Sequence, residues 1–279
     1  MKKTMVLTVL MAVGGALAFL LRLMQERTGF SPDTGLPIPG NLPARLFPIF
    51  LICMGAALFF LVRRLPSCHP DPRPFQDVFS VQGAVTPLVG GVVLLVLSGS
   101  AQVWSVLSGS PSSMPDGPLP SVVVLISGSL TALSAVCLLP AVASASAGRR
   151  SRSRLAAPPT LLLFIPASLV LQLVLDYRTR SANPTTEAYA LELLALGFSA
   201  LAFFHLASFA FGDGSVQVFS FLAGGTVVLC AAVLADGQGF AADALFGGCV
   251  LFFLGFLCSL QPDACRLCSS VGVGRGESL

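Results

Sequence analysis

The chain has 279 residues, of which 54% are hydrophobic and only 10% charged, with sixteen Lys and Arg, thirteen Asp and Glu, and a net charge of +3. A soluble domain carries about 25% charged residues, so this composition cannot coat a water-soluble core, and lipid must replace water over much of the surface. No basic stripe is interleaved with aromatics, which points away from a nucleic-acid partner, and no stretch between apolar runs is long enough to form a soluble domain.

A hydrocarbon layer of about 30 Å needs about 20 apolar residues of helix. Eight segments approach that length: residues 4–24, 46–62, 84–107, 121–144, 160–175, 189–211, 216–234 and 240–260. They are continuously apolar, whereas barrel strands alternate over about 10 residues, and a helix satisfies its own backbone in lipid. The expected fold is therefore an all-α, polytopic transmembrane bundle of about eight helices in one integral membrane domain. The first segment follows Lys2 and Lys3 and contains Ala16-Leu17-Ala18, which has the form of a signal-peptide cleavage site. The apolar run continues through Phe19-Leu20-Leu21, so it reads as a retained helix. Cleavage would leave seven helices in the same orientation.

The third and fourth segments share a small motif, Leu97-Ser98-Gly99-Ser100 and Ile126-Ser127-Gly128-Ser129, at similar depth on neighbouring antiparallel helices. Small residues in that arrangement read as a close helix crossing or as the polar lining of a pathway. In the fifth segment Pro166 is expected to interrupt the helix and free the carbonyl of Leu162. His205 of the sixth segment, read from sequence as the one ionisable residue well inside a helix, is a candidate donor to that carbonyl. An ionisable group at that depth is also a candidate ligand or proton site. Between these helices lies the densest polar stretch, with Asp176, Tyr177, Arg178, Arg180, Asn183, Glu187, Tyr189 and Glu192. Local ion pairing explains it, as does a shallow site for a small polar ligand. The candidate binding residues are thus His205, Asp176, Arg178, Arg180, Glu187 and Glu192. Gly224-Gly225 and Gly247-Gly248 near the middle of the last two segments read either as close packing or as unwound, substrate-binding helix.

The eight cysteines form no disulfide framework. Cys53, Cys137, Cys230, Cys249 and Cys258 fall in apolar helices, where Cys acts as a small hydrophobe. Cys265 and Cys268 form a C-x-x-C that Cys68 and His69 could complete as a zinc set, yet nothing brings the segments together, and no metal or cofactor is assigned. Phosphate-loop, nucleophile-elbow and zinc-hydrolase motifs are missing, and no paired carboxylates share a mid-membrane face, so an enzyme is not expected.

Orientation follows from charge. With the N-terminus inside, the inner segments hold Lys2, Lys3, Arg63, Arg64, Arg73, Arg149, Arg150, Arg152, Arg154, Arg266 and Arg275, against Arg22, Arg27, Arg45, Arg178 and Arg180 outside. Trp104, Tyr177 and Tyr189 fall at the outer interface, where amphipathic rings prefer to sit. Both termini are then cytoplasmic.

Asp33-Thr34-Gly35-Leu36-Pro37 and Asp176-Tyr177-Arg178 through Asn183-Pro184, followed by a long apolar helix, resemble parts of uncharacterised eight-helix membrane proteins of anaerobic Gram-positive bacteria. The resemblance covers about a quarter of the chain, implies a plasma-membrane location, and brings no activity with it. Two functions stay open: a carrier of a small polar solute, or a non-catalytic component that binds or scaffolds a membrane protein partner or a second copy of itself.

Overall fold

A computed structural model describes residues 2–29, 42–64, 85–109, 121–146, 159–180, 186–211 and 214–260. The helices are α1 (Lys2–Thr28), α2 (Leu42–Arg63), α3 (Val85–Leu107), α4 (Ser121–Val136), α5 (Leu139–Ser146), α6 (Phe164–Arg180), α7 (Thr186–Phe211), α8 (Val216–Val233) and α9 (Phe240–Ser259). Short 3-10 turns, Pro159–Leu163 and Leu234–Asp236, precede α6 and follow α8. Seven of the helices are long and apolar enough to cross a membrane. The chain is a multi-pass, all-α membrane bundle.

The fourth span departs from the expectation of one helix over 121–144. α4 has 16 residues, about 24 Å at 1.5 Å per residue, which falls short of the hydrocarbon layer. After it the Leu138 N–H reaches back only three residues, to the Ala135 carbonyl at 3.1 Å, and α5 then resumes. Pro140 is the cause: it has no N–H to give the Val136 carbonyl, and its ring would crowd that oxygen. The fifth span differs too. Pro166 lies in the first turn of α6, just after the Pro159–Leu163 turn. N–H groups there lack an intrahelical partner in any case, so Pro166 starts this helix rather than interrupting it.

Six spans close a ring in which α9 packs on α3, α3 on α4, α4 on α6, α6 on α7, α7 on α8, and α8 on α9. α1 lies outside against α8 and α9, and α2 lies against α1 and α8. Lipid gives packed helices no hydrophobic driving force, so contact area and close approach must hold the ring. Glycine supplies that approach on both sides of α3. A Cβ on Gly91 would stand 2.8 Å from the Gly248 carbonyl oxygen of α9, and one on Gly99 2.5 Å from the Ala132 nitrogen of α4. The small-residue motif shared by the third and fourth segments is therefore a helix crossing. α8 and α9 run unbroken through Gly224-Gly225 and Gly247-Gly248, which removes the unwound-helix reading of those pairs.

Candidate functional site

The two ends of the bundle differ inside. Gly15 of α1 packs against Val227 and Ala231 of α8, and Arg22 meets Asp236, so these helices run parallel. The Ser98 hydroxyl of α3 donates to the Ala241 carbonyl of α9 at 2.6 Å, while Gly91 faces Gly248, so these run antiparallel. Arg22, Trp104, Tyr177, Tyr189 and Asp236 consequently lie toward one end, termed the Asp236 end. Toward the other end the ring is filled by phenylalanine. Phe203 of α7 meets Phe253 and Phe252 of α9 at 4.6 and 5.2 Å between ring centroids, and Phe209, Phe219 and Phe256 extend the layer. Toward the Asp236 end two polar side chains, Gln172 and Glu192, are buried among Ser98, Ala232, Ala244, Leu191, Leu196, Val233 and Phe246.

Glu192 is 3% exposed. It precedes Phe203 by eleven residues, close to three turns at 3.6 residues each, so both side chains leave α7 in nearly the same direction. Phe203 points across the ring to α9, and Glu192 therefore projects into the same interior, about 16 Å nearer the Asp236 end.

His205 is placed differently. At about 100° per residue it falls on the flank of α7, between the buried Ala202-Phe203-Leu206 face and the exposed Leu201-Phe204 face. It is half-buried, and its ring meets Phe204 edge-on at 5.9 Å. The Pro159–Leu163 turn does pack on α7, but no bond from His205 to the Leu162 carbonyl is among the hydrogen bonds of the described residues. Sequence depth placed His205 inside the membrane, and rotation about the helix axis keeps it out of the ring.

α6 contributes two further groups. Its Ser168 hydroxyl lies 3.2 Å from that of Ser134 on α4, and its Leu173 methyl would be 3.8 Å from a Cβ on Gly197 of α7. Gln172 and Asp176 project between those two directions, away from the exposed Ala167, Val170 and Val174. Gln172 is 6% exposed, and its Oε1 is buried with no hydrogen-bond partner. Asp176 is half-buried. The Tyr189 hydroxyl donates to the Tyr177 carbonyl at 3.1 Å, and the two rings stack. With Leu173 level with Gly197 on antiparallel helices, this register sets Glu192 beyond Asp176, about 9 Å from the level of Gln172. Arg178 is exposed on the opposite side of α6. The side chains of Arg180 and Glu187 lie outside the described residues, as do Cys68, His69, Cys265, Cys268 and the Asp33–Pro37 stretch.

Family models, curated proteins and solved structures give no match to this chain. Its site has to be read from its own geometry.

That geometry includes groups the sequence reading passed over. Arg22 is 2% exposed. Its Nε donates to Asp236 Oδ1 at 2.7 Å, its Nη1 to Gln25 Oε1 at 3.1 Å, and its Nη2 lies 2.9 Å from Glu26 Oε1. The guanidinium also faces the Phe47 ring at 5.6 Å. A spacing of three and four residues from Arg22 to Gln25 and Glu26 was the one local signal, since it places all three on one helix face. At mid-depth the Ser199 Oγ lies 3.3 Å from Cys230 Sγ, and Cys230 is in turn within hydrogen-bonding reach of Cys249. Among the described residues no three His, Cys, Asp or Glu side chains could hold a metal ion.

Proposed function

We propose that this protein carries a small polar solute across the membrane, receiving it at the Asp236 end. The observation behind this reading is a carboxylate, Glu192, and an amide, Gln172, buried among apolar side chains in one half of the bundle, with a phenylalanine layer in the other. Burying a carboxylate is costly unless charges or hydrogen bonds meet it, and inside a bundle such groups mark solute pathways. The charge bias along the chain sets the Asp236 end outside and both termini in the cytoplasm. The resemblance of the hairpin to proteins of Gram-positive bacteria adds a plasma-membrane location.

A second reading, in which the protein binds a partner, has its own observation. α2 turns Ile52, Cys53, Ala56, Ala57 and Phe60 outward, and nothing lies within 4 Å of a Cβ placed on Gly55. That is a small-residue face of the kind helices use to meet.

A thermal-shift screen on the detergent-purified chain separates the two. It covers ions, amino acids, sugars, nucleosides and vitamins, with Glu192→Gln alongside. A ligand at a hundred times its Kd stabilises by about 2.7 kcal/mol. The carrier reading expects a dose-dependent shift for one class that Glu192→Gln loses. A flat screen together with cross-linking through Cys53 in native membranes would overturn it in favour of the partner reading.

A further inference from the structure

We propose that the interior seam between α4 and α6 lines the path of the solute, and that the solute is compact, neutral and rich in O–H or N–H donors, as a polyol or a urea is. This rests on the carrier reading and adds the chemistry of what is carried. Two enclosed oxygens point to it. Ser127 of α4 is 2% exposed and Gln172 of α6 is 6% exposed, and neither Ser127 Oγ nor Gln172 Oε1 meets a hydrogen-bond partner in the protein. Leaving such groups unmet costs stability, and folds rarely do so without a use for them. Both lie near one fixed contact, the 3.2 Å approach of the Ser134 and Ser168 hydroxyls. α4 runs away from the Asp236 end, because Gly128 meets Gln102 and Ala132 meets Gly99 of α3, and α6 runs toward that end. Counted from the serine contact toward the Asp236 end, Thr131 lies about 4.5 Å along α4, Gln172 about 6 Å along α6 and Ser127 about 10.5 Å along α4. At about 100° per residue, Ser127 and Thr131 turn about 20° and 60° from Ser134, toward the side where Gly128 meets α3. Gln172 turns about 40° from Ser168, toward the side where Leu173 meets α7. All three side chains therefore face the interior of the ring, on adjoining helices and over one stretch of depth.

The hydroxyl hydrogens set the chemistry of the seam. Thr131 donates to the Ser127 carbonyl at 2.9 Å, Ser134 to the Thr131 carbonyl at 2.9 Å, and Ser168 to the Ile165 carbonyl at 2.8 Å. Their oxygens keep lone pairs for a visitor, as does Gln172 Oε1, while the Ser127 hydroxyl can both donate and accept. The seam thus asks mainly for donors. Asp176 and Glu192 lie farther toward the Asp236 end, and each already interacts within the chain. An ion brought to the seam would lose its water with no opposite charge beside it, whereas a neutral solute exchanges hydrogen bonds to water for those of the seam. The Ser134–Ser168 contact narrows the inner end, which favours a compact molecule. Ser127 belongs to the small-residue motif shared with α3. Gly128 makes that crossing, and Ser127 turns past it into the interior, so the motif both packs and lines.

The test uses the full chain in proteoliposomes, with protein-free liposomes as the blank. Radiolabelled glycerol, erythritol and urea are the neutral probes, and tetramethylammonium and methanesulfonate the permanently charged ones. The expected result is saturable uptake of a neutral probe above the blank. Ser127→Ala and Gln172→Met should each reduce it on the order of tenfold, and Val174→Ala, on the exposed side of α6, should retain it. Thermal unfolding of the same variants gives a readout that a structural role would reverse. A buried polar group that no partner meets costs stability, so Ser127→Ala and Gln172→Met should melt at or above the Tm of the unmodified chain while losing uptake. A fall in Tm for both would mean that the two oxygens are met within the fold, and would overturn the site. Uptake of any probe, neutral or charged, that both variants retain would overturn the seam as the path and leave the carrier reading standing. No uptake of any probe above the blank would overturn both.

Discussion

Arg22 is the residue on which the outer helix depends. Its guanidinium joins α1 to the turn after α8, and both its side chain and that of Asp236 are almost fully enclosed, at 2% and 5% exposure. Removing one partner of such a pair leaves the other charge buried alone, which costs about 3–5 kcal/mol. Arg22→Met is therefore expected to lower the melting temperature in detergent sharply. Arg22→Met with Asp236→Leu should recover most of the loss, because neither charge is then buried. An Arg22→Met protein as stable as the parent would contradict this account. The sequence hid the pair because Asp236 lies 214 positions away, and an arginine closing an apolar run looks like an interfacial anchor. His205 shows the converse. Its depth was legible and its rotation was not, since a helix with polar residues on more than one side gives no phase from sequence alone. Without a hydrogen bond between His205 and the turn before α6, Pro166→Ala and His205→Ala should be additive in stability within about 0.3–0.5 kcal/mol. A larger coupling in that double-mutant cycle would restore the linked role expected from sequence.

Helix existence was readable because lipid imposes a length and forbids unpaired backbone. Helix ends and breaks were less so. α1 runs on to Thr28 because Arg22, Gln25 and Glu26 satisfy one another within the helix, so polarity there does not mean exit from it. Pro140 splits the fourth span, although apolar composition continues across it, because the missing N–H acts on the backbone whatever the hydropathy. The glycines divide by what faces them. Gly99→Ala puts a methyl group 2.5 Å from the Ala132 nitrogen, where backbone must move, and such overpacking costs about 1–3 kcal/mol. Gly55→Ala meets nothing within 4 Å and should be neutral or stabilising, since alanine in a helix interior is favoured over glycine by about 0.5–1 kcal/mol. Thermal unfolding of the two variants side by side checks the contrast. Equal effects would mean that the α3–α4 crossing is looser than described.

At the scale of the whole molecule the question is whether water enters the ring from one end only. Composition could not answer it, because every segment is predominantly apolar. The sorting of Glu192 and Gln172 to one end and of the phenylalanine layer to the other appears only when α6, α7, α8 and α9 are brought together. Leu196 and Ala207 of α7 test the sorting with one reagent. Both are almost fully buried, and they lie eleven residues apart, so they leave the helix in nearly the same direction about 16 Å apart. Leu196 is one turn inward from Glu192, and Ala207 is one turn beyond Phe203. In a carrier open at the Asp236 end, a membrane-impermeant maleimide added outside right-side-out vesicles should label Leu196→Cys and spare Ala207→Cys, with background from the native thiols measured in the unmodified protein. Phenylalanine rings that exclude water on the time average give that pattern. If the maleimide labels Ala207→Cys alone, and does so from the cytoplasmic side, the opening is at the opposite end and the direction of entry proposed for the solute is reversed. If neither cysteine reacts from either side, the interior is closed to water, and Glu192 is a buried structural carboxylate rather than part of a pathway.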